Sequence, residues 1–218
     1  ANDIAVAVAE SLAGTVPAFI ARMNGEAERL GLENTRFVNP NGLHDTGQYV
    51  SARDLVILSS AIWNEFPQYR EFFETPTIRA GDRLYTSYNL LLERFDGATG
   101  MKTGFVCAAG YNIVASAERN GRRLVAVVLG ASSQTERAEL AARLLLKGFA
   151  TPQGQSMAAI AHPPAPVKPV NMRPILCTEK ARQSRYDPAS ETAVIQSKWL
   201  HPRKVTRAPV TIATGGID

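Results

Sequence analysis

Hydrophobic and polar positions change period several times along the chain, and each change marks an element. Asp3 to Ala13 is apolar on most sides and stops at Gly14, which predicts a buried helix with glycine just past its end. Thr15 is placed to cap a second helix, with Pro17 tolerated in the first turn, running to Leu30 and ending at Gly31. Phe37 to Leu43 carries Asn39-Pro40-Asn41-Gly42, which is turn chemistry. Ser51 and Asp54 have the spacing of a capping box ahead of Leu55-Val56-Ile57-Leu58, a third helix reaching about Trp63. Arg79 to Tyr88, bent at Gly81-Asp82, reads as a small hairpin. Tyr111 to Ala117 and Leu124 to Leu129 are strand-like runs around Asn120-Gly121. That dipeptide suits a two-residue turn needing positive φ at both centres. Thr135 to Phe149 returns to helical spacing, with Ala138, Ala141, Ala142 and Leu145 on one stripe. The order of helices, hairpin, strands and final helix predicts an α+β fold: an antiparallel sheet flanked by helices, with a helical subdomain.

Composition separates this core from the C-terminal stretch. Nine of the thirteen prolines lie at or beyond Pro152. Lys and Arg number 15 against 16 Asp and Glu over residues 1–149, but 9 against 4 over 150–218, so the net charge of +4 belongs to the tail. A neutral core argues against nucleic-acid binding, which concentrates basic residues on a folded face. We therefore expect a folded domain over 1–150 and a Pro-rich basic tail over 151–218, mostly disordered, with weak affinity for anionic surfaces. His162-Pro163-Pro164-Ala165-Pro166-Val167-Lys168-Pro169 suits an extended spacer, and Thr192 to Leu200 is expected to lack neighbours to pack on. No apolar run approaches the roughly 20 residues of a membrane-spanning helix.

The chemistry gathers at Gly100-Met101-Lys102-Thr103-Gly104-Phe105. On a strand these residues offer a cation, a hydroxyl and a backbone edge without a side chain. A ligand bearing a carboxylate and an amide fits that set, the amide pairing as an added strand. Other chemistries lack support. Cys107 and Cys177 allow one disulfide or two thiols, Cys107 by default a small half-buried one, and His44, His162 and His201 are scattered, so neither a zinc site nor another metal is expected. Gly-x-Ser-x-Gly and phosphate-binding glycine loops are missing.

Lys102-Thr103-Gly104, Ala109-Gly110-Tyr111-Asn112, Val114-Ala115-Ser116-Ala117 and Arg122-Arg123-Leu124 resemble the serine D-alanyl-D-alanine carboxypeptidases, the low-molecular-mass penicillin-binding proteins. Phe37 to Leu43 and Ser51-Ala52-Arg53-Asp54 resemble the family's middle region in the right order, so the resemblance runs from residue 1 to about Phe149. It implies acyl transfer at the D-Ala-D-Ala end of a peptidoglycan stem peptide, reaction with β-lactam antibiotics, a periplasmic or envelope location with roles in cell-wall biogenesis and cell shape, and no cofactor. Carried over residue by residue, Asn2 would bond the penultimate amide, although it could equally cap its helix. Lys102 would attract the terminal carboxylate and relay a proton, Thr103 would donate to that carboxylate, and Gly104 would admit the substrate. The Phe105 N–H would be one oxyanion donor, at a position where relatives often carry a polar side chain. Arg137 would help hold the carboxylate, its alternative being a solvated arginine at a helix start.

One element of the family pattern is missing. No serine in the 218 residues has a lysine three positions on, so the nucleophile and its base are not in this sequence. Ala1-Asn2 reads as the end of a Ser-x-Asn triplet whose serine would precede residue 1, so we expect an N-terminally truncated or cleaved chain, its signal peptide lost with the missing part. Ser87-Tyr88-Asn89 is a literal Ser-x-Asn but lies too close to Lys102, and a polar turn is the preferred reading. A non-catalytic cell-wall-binding derivative is the alternative function. A serine β-lactamase is third, since Glu33 and Glu65 lack the loop signature of a deacylating glutamate.

Overall fold

The computed structural model describes residues 2–152, 169–181, 197–205 and 207–212. They fall into two compact units, the first within Ala1–Glu65 and Gln155–Val170, the second within Phe66–Gly154 and Asn171–Asp218.

The first unit holds α1 (Asn2–Ala13), α2 (Val16–Arg29) and α3 (Ala52–Glu65). Thr15 caps α2 through Oγ1, which accepts from the Ala18 N–H, and Gly31 follows the helix at φ 68°. α1 is not the buried helix its composition predicts. It packs on α2 within this unit and buries only Ala9, leaving Ile4, Val8 and Leu12 on an exposed stripe. Ser51 Oγ accepts from the Asp54 N–H as expected, but the reciprocal half of the box does not form. The Asp54 carboxylate is instead fully buried and accepts from Asn34 N–H and Thr35 Oγ1, tying the 30s loop to α3. The Asn39 turn closes on itself, Asn39 Oδ1 accepting from the Gly42 N–H.

The second unit is built on an antiparallel sheet of β3 (Ala98–Val106), β4 (Gly110–Arg119) and β5 (Arg122–Ala131), in the order β3-β4-β5. Asn120 and Gly121 turn β4 into β5 at φ 51° and 72°, the geometry expected of that dipeptide. α5 (Gln134–Ala150) lies along β4 and β5 and buries Ala138, Ala141, Ala142 and Leu145 against Ile113, Ala115, Ala117, Ala126 and Val128. Small residues on the helix let it sit close to the sheet, while Leu91 and Phe95 close one end of this core. α4 (Arg70–Glu74) packs on β3, bringing Phe73 close to Gly100. β1 (Thr77–Ala80) and β2 (Arg83–Thr86) form the expected hairpin, with Gly81 at φ 55°.

Gly97 is the tightest of the described glycines. It sits at φ 81°, and a Cβ there would lie 2.4 Å from the Glu118 carbonyl oxygen. A backbone atom cannot step aside, so Gly97→Ala should cost about 2–3 kcal/mol in chemical denaturation, against little change for alanine at the open Gly104.

Most described tail residues are exposed, but Trp199 and Leu200 do find neighbours, which corrects the expectation that their segment has none to pack on. Leu200 is buried in the core and Trp199 packs on it, because α5 and the 90s turn leave an apolar site that the alternating strands cannot fill themselves. The Arg203 guanidinium bonds both oxygens of the buried Glu93 carboxylate. α6 (Arg173–Leu176) buries Leu176, and β6 (Val210–Ile212) adds to β1 as a parallel strand. Cys107 is no free thiol: it pairs with Cys177, and nearby Met172 N–H donates to the Ala108 carbonyl. The spacer expected at 162–169 lies outside the described residues except for Pro169, as do residues 192–196. Among the described residues no single helix is long and apolar enough to cross a membrane.

Candidate active site

β3 is an edge strand, paired on one side with β4. Its register sets Lys102 opposite Val114, Thr103 opposite Ile113, Gly104 opposite Asn112 and Phe105 opposite Tyr111. Strand alternation puts Lys102 and Gly104 on one face, Thr103 and Phe105 on the other. The Phe105 and Tyr111 rings meet across the pair at 4.3 Å between centroids. Thr103 is half-buried, whereas no protein atom lies within 4 Å of where a Gly104 Cβ would stand. The fold itself therefore does not require glycine at 104 for space.

Arg137 enters this wall from the first turn of α5, beside its capping residue Ser133. It is not the solvated arginine of the alternative reading, being only 3% exposed. Its Nη2 donates to the Tyr88 carbonyl at 2.8 Å, its Nη1 to the Asn112 carbonyl at 3.3 Å, and the guanidinium lies over the Tyr111 ring. Nε is buried without a hydrogen-bond partner. Burial pulls the Arg137 pKa down to about 10, with Tyr111 acting the other way, so the guanidinium remains charged at neutral pH. The Lys102 ammonium donates to the Thr103 carbonyl at 2.6 Å. Loss of water around it, and then the charge of Arg137, lower its pKa.

No carboxylate is paired with either cation among the described residues. Two positive groups, one of them buried with a spare N–H, make a local field that favours an anion bearing forked oxygens. Beside them, a strand edge with open space over Gly104 suits an extended backbone.

Five of the six residues singled out from the sequence, Lys102, Thr103, Gly104, Phe105 and Arg137, thus lie in one unit. Asn2 heads α1 in the other unit, with an exposed side chain. The sequence reading overlooked the shell behind the cations: Tyr88 and Asn112 through their carbonyls, and Gln134, whose Nε2 also donates to the Tyr88 carbonyl. Only the Ser-Tyr-Asn triplet drew attention to that region. A separate groove of about 790 Å3, lined by Val127, Leu129, Leu140, Leu144 and Trp199, runs between β5 and α5, away from the β3 edge and without its polar groups.

Comparison with known proteins identifies the family. The family model described as D-alanyl-D-alanine carboxypeptidase, peptidase S11, matches residues 1–133. The D-alanyl-D-alanine carboxypeptidase DacA of Haemophilus influenzae is 38% identical over 151 residues, covering 68% of this chain and 38% of the relative. DacF of Bacillus subtilis is 36% identical over 140 residues, covering 62% and 36%. The chain spans less than half the length of these curated relatives. Among solved structures, penicillin-binding protein 5 of Haemophilus influenzae superposes with a TM-score of 0.65 at 38% identity, covering 68% of this chain and 44% of that one. Penicillin-binding protein D2 of Listeria monocytogenes, in a cefotaxime-bound form, gives 0.63 at 34% identity, covering 68% and 61%. With the family model matching well over half of its residues and the cation-lined strand edge in place, this chain belongs to the D-alanyl-D-alanine carboxypeptidase family.

Proposed function

We propose that this chain carries the substrate-recognition wall of a serine-type D-Ala-D-Ala carboxypeptidase that trims peptidoglycan stem peptides in the bacterial periplasm or envelope. The observation that carries the reading is buried Arg137 near enough for its charge to lower the Lys102 pKa, neither cation having an acidic partner among the described residues, beside the open strand edge at Gly104. The terminal carboxylate of D-alanine would take the charge of both cations and the Thr103 hydroxyl. The peptide backbone would lie along β3, where a side chain at 104 would obstruct it. The Phe105 N–H would stabilise oxygen charge as the carbonyl is attacked, and the lowered pKa of Lys102 suits it to pass a proton to the leaving amine. Asn2 would bond the penultimate amide. β-Lactams, whose carboxylate and amide imitate the same terminus, would enter the same wall. The basic tail would add weak contact with anionic surfaces.

The attacking serine and its lysine are not among the 218 residues. The chain should therefore bind without reacting: a fluorescent penicillin should leave no covalent label. An acetylated Lys-D-Ala-D-Ala peptide should perturb the amide signals of 102–105 in NMR titration. Gly104→Ala should keep the fold and weaken that binding at least tenfold. Stoichiometric labelling, or a peptide that perturbs only residues outside β3 and α5, would sink the reading. A second reading is a non-catalytic derivative that docks cell-wall material through the same wall. The sequence upstream of Ala1 separates the two, since an in-frame Ser-x-x-Lys belongs only to the enzyme.

A further inference from the structure

Asn89 stands where three parts of the second unit meet. It is almost wholly buried, yet its carboxamide has a partner on each side. Oδ1 accepts from the Leu91 N–H at 3.2 Å, capping the short helical turn Leu90–Glu93 that sends Leu91 into the core. Nδ2 donates to the Gly100 carbonyl at 3.0 Å, two residues before Lys102. Its own N–H is taken by Ser87 Oγ at 3.2 Å. The residue just before it, Tyr88, gives its carbonyl to Arg137 and Gln134 on α5.

From this we infer that Asn89 is a positioning residue: with the Tyr88 carbonyl, it sets the spacing between the strand bearing Lys102 and the helix bearing Arg137. The inference rests on the reading of those two cations as the carboxylate site, and deepens it. Asn89 is buried and acts through its neighbours. Its effect passes through Gly100 on one side and the peptide bond to Tyr88 on the other. Neighbouring residues on one rigid turn cannot move independently, so a shift of the β3 entry is also a shift of the Arg137 anchor. A leucine or alanine there would leave the Gly100 carbonyl without this donor and the Leu91 N–H without its cap. A cap alone would need no amide: serine or aspartate serves that purpose as well. The donor half of the side chain is what the Gly100 carbonyl uses.

Asn89→Ser separates the two roles, because a serine hydroxyl can cap Leu91 but is too short to span to Gly100 as well. In the full 218-residue chain, two readouts apply: the titration of the Lys102 side-chain NMR signal, and affinity for the acetylated Lys-D-Ala-D-Ala peptide. We expect the variant to remain folded, to titrate Lys102 closer to the ordinary lysine range, and to bind about tenfold more weakly. An unchanged Lys102 titration in a folded Asn89→Ser chain overturns the inference, whatever the affinity. A moved titration in a protein whose unaltered form binds no peptide supports the positioning role and instead overturns the carboxylate-site reading. Should Asn89→Ser fail to fold, Gln134→Ala decides. It removes one of the two donors on the Tyr88 carbonyl from a half-buried position, and should move Lys102 the same way by a smaller step, no change counting against the inference.

Discussion

Reducing the Cys107–Cys177 disulfide is expected to lower the stability of the second unit by about 4 kcal/mol, from the loop-closure entropy of a bridge spanning 70 residues. The bridge fastens the tail to the turn just past the Lys-Thr-Gly strand, where the Met172 N–H also bonds the Ala108 carbonyl and Leu176 is buried. Urea unfolding of the oxidised chain, the reduced chain and Cys177→Ser should show the two altered forms equal to each other and well below the first. A loss under 1 kcal/mol would mean that Trp199, Leu200 and the Arg203–Glu93 pair hold the tail in place without covalent help.

Replacing Arg137 by methionine should cut affinity for the D-Ala-D-Ala peptide by a hundredfold or more, while stability changes little. The affinity loss comes from removing a buried, charged donor that meets a carboxylate, about 3 kcal/mol. The small stability effect comes from two opposing consequences. The Asn112 carbonyl loses its arginine donor and the Tyr88 carbonyl keeps only Gln134, but a buried cation lacking an acidic partner among the described residues is replaced by an apolar side chain of similar length. Arg137→Lys should fall between, since one ammonium cannot serve two carbonyls and a forked anion together. Affinity should also depend on pH through Lys102. Its ammonium is the form proposed to attract the ligand and its pKa is lowered, so binding should decline as pH rises through a value below the usual lysine range. Calorimetric titrations of both variants, and of the unaltered chain across pH, check these outcomes. An Arg137→Met chain that binds as tightly as the original would remove the guanidinium from the site.

Local chemistry explains why the helices, both hairpins and the β3 wall were legible in the sequence. Thr15, Gly31, Asn120-Gly121 and the Ala138-to-Leu145 stripe each act within a few residues, and the structure shows them in the expected places. Lys102, Thr103, Gly104 and Phe105 were legible because they adjoin one another. The features that escaped the reading depend on distant partners. Asp54 matches a box by spacing, yet its carboxylate is taken by a loop some twenty residues earlier. Arg137 was singled out through the family resemblance, with a solvated helix-start arginine as the alternative, but only the fold lays it against Tyr88, Tyr111 and Asn112. Trp199 and Leu200 sit in a polar, proline-bearing stretch whose composition says nothing of the apolar site waiting beside α5. Asn89 carries the same lesson: the preferred reading of its triplet, a polar turn, fits the Ser87 contact, but only the fold shows the carboxamide buried and bonded on two sides.

The parallel pairing of Ile78 with Val210 has a consequence for biosynthesis. As the ribosome delivers the polypeptide from its N-terminal end, β1 emerges with β2 as a ready hairpin partner, but β6 arrives only after β3, β4, β5 and α5 have been made. Until then one side of β1 is an open template, and the nascent molecule must keep it from pairing with a neighbour on the same message. A chain stalled before Val210 would be caught in that state, which makes its last described strand a late seal on assembly.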